Sequence, residues 1–167
     1  MTDQIVVGDR VVFDAGFRAA RARLGAMAGD GMLQRASEVA YGEAITGLVK
    51  LAGPAAGLTR LSGVRLEDLA ETDNCAHIGL QWEAIAADGK LFTALDADLM
   101  LVPAGQRITA LALSGAYRLQ PGRGGTGLDR AIMRGCAAAA IDSFLARVTC
   151  TIVHPAGTAG PTSYSAL

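Results

Sequence analysis

A run of apolar residues at helical spacing over residues 128–148 constrains the fold more than any other feature of this sequence. Apolar side chains recur every fourth residue in two adjacent rows: Leu128, Ile132, Cys136, Ala140, Phe144 and Val148, and beside them Met133, Ala137, Ile141 and Leu145. A stripe this wide is stable only when it is covered. The spacing therefore predicts a long helix whose apolar side is buried against a sheet.

The residues before this helix predict the sheet. Four stretches are predicted to be strands: 58–68, 77–84, 91–102 and 107–119. The turns between the last three are short, and Asp88-Gly89 provides the positive φ that a tight hairpin needs. Because short turns join neighbouring strands, an antiparallel meander is predicted, with the charged first stretch at its edge.

The N-terminal part predicts one further strand and two helices. Residues 5–13 are rich in β-branched residues and predict a strand, bent or turned at Gly8-Asp9. An amphipathic helix of about three turns follows, and then a shorter helix with Leu33, Ala36 and Ala40 on one side. The stretch 44–51 is ambiguous between strand and helix, and a strand is the favoured interpretation.

The order of these elements predicts an α+β fold in a single domain. The length of 167 residues suits one domain. We expect that domain to span residues 1–150. Residues 151–167 are rich in Gly, Pro, Ser and Thr, which predicts a loose C-terminal tail.

Charge and cysteine content exclude several classes of function. The 15 basic and 16 acidic residues nearly cancel, which argues against a nucleic-acid-binding surface. The N-terminus lacks the features of a signal peptide, and no uninterrupted apolar run suggests a membrane span. Three widely spaced cysteines, Cys75, Cys136 and Cys150, indicate reduced thiols in the cytoplasm. With two histidines and no ligand spacing, neither a metal site nor a cofactor is expected.

The order of elements and several short motifs resemble the START-like (SRPBCC) superfamily, the polyketide cyclase-like helix-grip proteins, and in particular a set of its actinobacterial members. The motifs are Trp82-Glu83-Ala84, Leu91-Phe92, Ala94-Leu95-Asp96-Ala97-Asp98-Leu99, Pro103-Ala104-Gly105, Gly115 with Tyr117-Arg118, and Leu128-Asp129-Arg130. The resemblance covers residues 5–149. Two departures stand out, because Thr93 and Leu119-Gln120 occupy positions where proline is common in this group.

The resemblance implies a sheet curved around the long helix, with an internal hydrophobic cavity between them. Members of the superfamily bind lipids, sterols, polyketides and hormones, and some are cyclases or hydratases. The leading hypothesis is a monomeric or homodimeric carrier of a small, largely apolar molecule, lipid- or polyketide-like. The alternatives are an enzyme of the polyketide cyclase or aromatase type and an interaction protein without a ligand. No catalytic residues are assigned.

Eight residues are candidates for ligand binding because they face the expected cavity: Trp82, Leu95, Leu99, Leu113, Tyr117, Ile132, Cys136 and Ala140. The run of small residues from Gly135 to Ala140 would leave volume for a ligand. Its alternative role is close packing of the helix on the sheet. Trp82 and Tyr117 could stack on a flat ligand, with the polar tip of Tyr117 near the cavity mouth.

Three polar features have a functional and a structural interpretation. Asp96 and Asp98 could form an acid–base or cation pair, but alternation along the strand predicts that they share the outer face with Phe92 and Ala94, opposite Leu91 and Thr93. Arg118 and Arg130 could clamp a carboxylate or form salt bridges with Asp129 or Glu83. The Gly-rich segment 122–127 could cradle a phosphate at the start of the helix, but it matches neither of the common phosphate-binding motifs, and a flexible gate or a plain connector is the alternative.

Overall fold

A computed structural model describes the residues in four ranges: 4–52, 60–86, 88–118 and 127–155. The elements in chain order are β1 (Gln4–Asp14), α1 (Phe17–Asp30), α2 (Met32–Ala52), β2 (Arg60–Leu66), β3 (Ala70–Thr72), β4 (Cys75–Ile85), β5 (Leu91–Gly105), β6 (Ile108–Arg118) and α3 (Gly127–Val153). This order confirms the α+β class.

The strands form one antiparallel sheet that curves around the long helix α3. Its strand order is β1-β6-β5-β4-β2, and the short β3 pairs with β4. Helix α3 packs on the concave face, α2 packs on α3 and β2, and α1 packs on α2. The sheet therefore grips the C-terminal helix, as the helix-grip fold requires. Gly89 has a φ of 84°, which confirms the predicted hairpin between β4 and β5.

Side chains on the concave face line up in rows across the strands. Three adjacent rows are Trp82–Leu95–Tyr117–Ile5, Leu80–Ala97–Gly115–Val7 and Ile78–Leu99–Leu113–Asp9. The middle row has its smallest residues, Ala97 and Gly115, on the two central strands. Strand β1 pairs with β6 without interruption through Gly8 and Asp9, so the chain makes no turn at these residues.

A β-bulge corrects the predicted faces at the start of β5. Trp82 pairs with Leu95 and Glu83 pairs with Thr93, which leaves Ala94 as the extra residue. The bulge reverses the alternation, because two residues of one strand then oppose one residue of the other. Phe92 and Ala94 are consequently buried, and Leu91, expected inside, is 62% exposed.

Helix α2 overturns the strand expected at residues 44–51. The buried stripe that starts at Leu33 continues without interruption through Ala44, Ile45 and Leu48. This stripe faces α3 and the sheet, so tertiary packing outweighs the weak local preference for a strand. The Thr46 hydroxyl donates a hydrogen bond to the carbonyl oxygen of Gly42, as in a helix interior.

Helix α3 is longer than predicted and is the core helix of the fold. It ends at Val153, with Ile152 buried, so it includes the first residues of the expected tail. Arg23 of α1 donates a hydrogen bond to the carbonyl oxygen of Ile152, Nη1 to O 2.6 Å, and so caps the helix end. Residues 156–167 of the expected tail lie outside the described ranges.

The same helix is apolar enough to pass a test for membrane spans. The segment Ala131–Val153 has a mean hydropathy of 1.5 over its most apolar window, and half of that window is buried within the protein. The high hydropathy of α3 thus agrees with its burial between the sheet and α2.

Gly115 provides a test of how closely β5 and β6 approach. A Cβ atom at this residue would overlap the carbonyl oxygen of Asp96 and lie 2.5 Å from Cα of Ala97. Since backbone atoms cannot move aside as a side chain can, Gly115→Ala should lower the free energy of unfolding by about 3 kcal/mol.

Gly63→Ala in β2 is the matched control, because a Cβ atom there meets nothing within 4 Å. Chemical denaturation of both variants should show a large loss for residue 115 and a change of about 0.5 kcal/mol or less for residue 63. Equal stabilities of the two variants would contradict the close approach of β5 and β6.

Candidate functional site

The eight predicted ligand-binding residues all lie between the sheet and α3. Seven of them are buried, and Ile132 is partly buried against the same core. Trp82, Leu95 and Tyr117 are neighbours in one cross-strand row, and Leu99 and Leu113 are neighbours in another. Cys136 and Ala140 lie one helical turn apart on the buried side of α3. The structure therefore brings the predicted residues together, and their role in binding stays a prediction.

Trp82 is the centre of an aromatic cluster that joins the three layers of the fold. Its ring makes an edge-to-face contact with Tyr41 of α2, with the ring centroids 6.1 Å apart and an interplanar angle of 90°. A second edge contact joins it to Phe144 of α3, at 5.9 Å and 75°. These are the favoured geometries for aromatic pairs.

The indole N–H of Trp82 is buried without a hydrogen bond. Trp82 has no exposed surface, and within the described ranges its Nε1 atom has no hydrogen-bond partner. A buried donor left unpaired costs about 1–3 kcal/mol, and buried tryptophan usually finds an acceptor. The site therefore contains a donor that an acceptor atom entering the interior would satisfy.

Tyr117 and Cys136 form a second polar contact in the same interior. The Tyr117 hydroxyl lies 3.9 Å from Cys136 Sγ, and the Cys136 thiol donates to the carbonyl oxygen of Ala44, Sγ to O 3.7 Å. This chain of contacts links β6, α3 and α2. Tyr117 is completely buried, so its expected position near a cavity mouth was wrong.

Burial keeps both of these weak acids protonated near neutral pH. Loss of solvation raises the pKa of Tyr117 well above its ordinary value, and the neighbouring Cys136 contributes in the same direction. Burial also raises the pKa of the Cys136 thiol. Trp82, Tyr117 and Cys136 are thus neutral groups that can donate a hydrogen bond, and they are poorly suited to act as bases.

A surface groove of about 270 Å³ lies beside this interior, between α2 and β2. Its lining residues are Glu38, Tyr41, Gly42, Ile45, Arg60 and Leu61. Tyr41 belongs both to the groove and to the aromatic cluster, so its ring separates the groove from Trp82. Sequence reasoning missed Tyr41 because the expected strand at 44–51 cut short the helical stripe to which Tyr41 belongs.

The two aspartates of β5 lie on the outer face of the sheet, as predicted. Asp96 and Asp98 are both exposed, and Asp98 Oδ1 lies 3.0 Å from His77 Nε2. Their side chains point away from the interior, which removes them from any site between the sheet and α3.

The remaining polar candidates are only partly described. Glu83 forms its ion pair with Arg65, 3.1 Å from Nε to Oε1, rather than with Arg118. The side chain of Arg130 and residues 122–126 of the Gly-rich segment lie outside the described part of the chain. Among the residues that are described, no group of three His, Cys, Asp or Glu side chains could hold a metal ion.

No protein-family model and no curated protein matches this sequence. Solved structures are similar in fold. TTHA0849 from Thermus thermophilus is 16% identical over 93% of this chain and 100% of that chain, with a TM-score of 0.43. The Zhui aromatase/cyclase from Streptomyces sp. R1128 is 11% identical over 93% and 99% of the two chains, with a TM-score of 0.36.

The di-domain ARO/CYC StfQ from the steffimycin biosynthetic pathway is 14% identical over 92% of this chain and 53% of that chain, with a TM-score of 0.39. Identities of 16% or less and TM-scores below 0.5 do not extend these similarities to function.

The burial of Cys136 can be tested by thiol labelling. The three cysteines are free, with Cys150 exposed, Cys75 partly exposed and Cys136 buried. Because the thiolate is the reactive form, and burial disfavours it, Cys136 should react at least about tenfold more slowly than Cys150 with a small thiol reagent. Peptide mapping after timed labelling gives the order, and the denatured protein is the control. Rapid labelling of Cys136 in the native protein would contradict a closed interior.

Proposed function

We propose that this protein binds a small, largely apolar, uncharged molecule between the sheet and α3. The ligand's apolar body would lie against the small side chains of α3, Cys136, Ala137 and Ala140, and the facing residues of the sheet. An acceptor oxygen of the ligand would meet the indole N–H of Trp82. Lipid- or polyketide-like molecules with a carbonyl or hydroxyl group have this chemistry.

The unpaired N–H of Trp82 is the observation that supports the proposal best. Close packing alone explains why an aromatic ring is buried, but it does not explain a buried donor without an acceptor. A ligand oxygen would restore the missing hydrogen bond in surroundings where such a bond is strong. Apolar contacts alone would bind the ligand in several orientations. The hydrogen bond from Trp82 would select one of them.

The charge of the interior supports an uncharged ligand. Within the described ranges, the buried polar residues are Ser37 and Thr109, and the fully buried large side chains are aromatic or aliphatic. A charged group brought into such surroundings would lose its hydration without a partner. Fatty acids or phosphates could bind only if their charged ends stayed outside, for example near Arg60 in the groove beside Tyr41.

Tyr41 gives the ligand a route to this interior. Its ring stands between the surface groove of α2 and β2 and the ring of Trp82. Rotation of this one side chain would open the groove toward Trp82 without movement of a helix. We place the entry there.

A cyclase-type enzyme is the second candidate, and Tyr117 favours it. A buried hydroxyl that stays protonated can donate a hydrogen bond to a carbonyl oxygen as negative charge develops on it. Turnover of a poly-β-ketone substrate by the wild type, lost in Tyr117→Phe while the fold is retained, would establish catalysis. Binding of the same substrate without turnover would leave the carrier role.

Ala140→Leu tests whether the interior takes a ligand. Ala140 is completely buried on the side of α3 that faces the sheet. If the interior holds a ligand, the larger side chain should occupy its space. The affinity for the uncharged dye Nile red should then fall by about tenfold or more, with a change in unfolding free energy below about 1 kcal/mol. Dye titration and chemical denaturation measure the two effects.

Ala139→Leu is the matched control, because Ala139 is exposed on the same helix. It should change neither dye affinity nor stability. Native mass spectrometry of protein purified from its own host should also show a bound molecule that Ala140→Leu reduces and Ala139→Leu does not. A wild type that binds no dye and carries no molecule, together with a loss of about 1–3 kcal/mol in Ala140→Leu, would refute the proposal.

A further inference from the structure

Strand β1 has a free edge. It is the terminal strand of the sheet and pairs with β6 on one side, and no other strand in the described ranges pairs with it. It is 11 residues long and contains no proline, and its outer side chains Val6 and Val12 are 88% and 54% exposed. A long strand edge without proline is a template for pairing with another chain.

A groove of about 550 Å³ runs along this edge. Six consecutive residues, Gln4 to Asp9, line it from β1. Successive side chains of a strand point to opposite faces of the sheet, so a groove on one face would contact only every second residue. A groove lined by six consecutive residues therefore runs along the edge of the strand, beside its backbone. The opposite wall is one side of α3, formed by Arg134, Ala138, Ile141 and Asp142. The groove thus lies between the edge of a strand and the side of a helix.

Two carboxyl groups line the groove from opposite walls. Asp9 lies on β1, at the end of the cross-strand row of Leu113, and Asp142 lies on α3. The interaction of the two side chains raises the pKa of Asp142, with burial adding to it, and lowers the pKa of Asp9.

The groove also has one basic residue on its α3 wall, Arg134. Arg134 precedes Asp142 by eight residues, which is about 12 Å along a helix. A cation placed between Asp9 and Asp142 would remove their mutual repulsion, so the charge of the groove selects a positively charged group.

We propose that this groove binds an extended peptide segment of a partner protein by strand addition to β1, with a lysine or arginine side chain of the segment between Asp9 and Asp142. Main-chain hydrogen bonds to β1 would supply affinity, as in other cases of strand addition. The carboxyl pair would supply the preference for a basic side chain.

A second copy of this chain fits the groove less well. Antiparallel pairing of two β1 strands with Val6 opposite Val12 would place the two Asp9 side chains opposite each other. That arrangement adds like charge where the groove already has two carboxyl groups. A small cation would use the carboxyl pair, but it would leave the strand edge and Val6 uncovered.

Three capped nine-residue peptides of alternating valine and threonine test the proposal with the full-length protein. The first has a central lysine, the second a central glutamate, and the third repeats the lysine peptide with alternate backbone nitrogens methylated. Binding is followed by NMR shifts of the β1 amides. The lysine peptide should bind about tenfold more tightly than the glutamate peptide, and the methylated peptide should not bind.

Asp9→Asn with Asp142→Asn should abolish the preference for lysine while strand addition persists. Asp96→Asn with Asp98→Asn, which removes the same charge from the outer face of the sheet, is the matched control and should keep the preference. The proposal is overturned if the lysine peptide causes no shifts in β1 at about 1 mM. Equal binding of the methylated peptide would overturn it too, because charge alone would then explain binding.

Discussion

The packing of α3 on the concave face of the sheet is the interaction on which the rest of the structure depends. Cys136, Ala137 and Ala140 of the helix are buried on the side that faces the strands, and Phe144 contacts Trp82. Helix α2 then covers the other side, through the contact of Tyr41 with Trp82 and of Ala44 with Cys136. The sheet, α3 and α2 thus share one core, and a substitution at its centre changes the packing of all three.

The sequence predicted the elements with strong periodicity and failed where periodicity was interrupted. The stripe of α3 and the alternation of β4 required burial on one side, and the structure places them accordingly. The bulge at Ala94 has no local signal, because it depends on the pairing of β5 with β4. Residues 44–51 are helical because their apolar side chains extend the buried stripe of α2. That burial depends on tertiary packing, which local sequence does not show.

The candidate site was likewise predicted where periodicity is strong and missed where it depends on tertiary packing. Periodicity was sufficient to identify the eight inward-facing residues, including Trp82 and Tyr117. It could not identify Tyr41, whose place depends on the full length of α2, or the meeting of Asp9 with Asp142, which are 133 positions apart in the chain. The interior that results is apolar but not inert, since its indole, hydroxyl and thiol groups offer hydrogen bonds without offering charge. Under the proposed function, such an interior would discriminate ligands by shape and by the position of an acceptor.

The bulge in β5 also affects how this fold tolerates changes in length. Ala94 is the one residue by which β5 exceeds its partner at that point, so deletion of a single residue there would restore regular pairing. Residues Leu91 to Thr93 would keep their partners on β4 and their inner and outer faces, because Glu83 already pairs with Thr93 across the bulge. Loss of this one residue would therefore remove the buried methyl group of Ala94 and leave the neighbouring inward-facing side chains where they are.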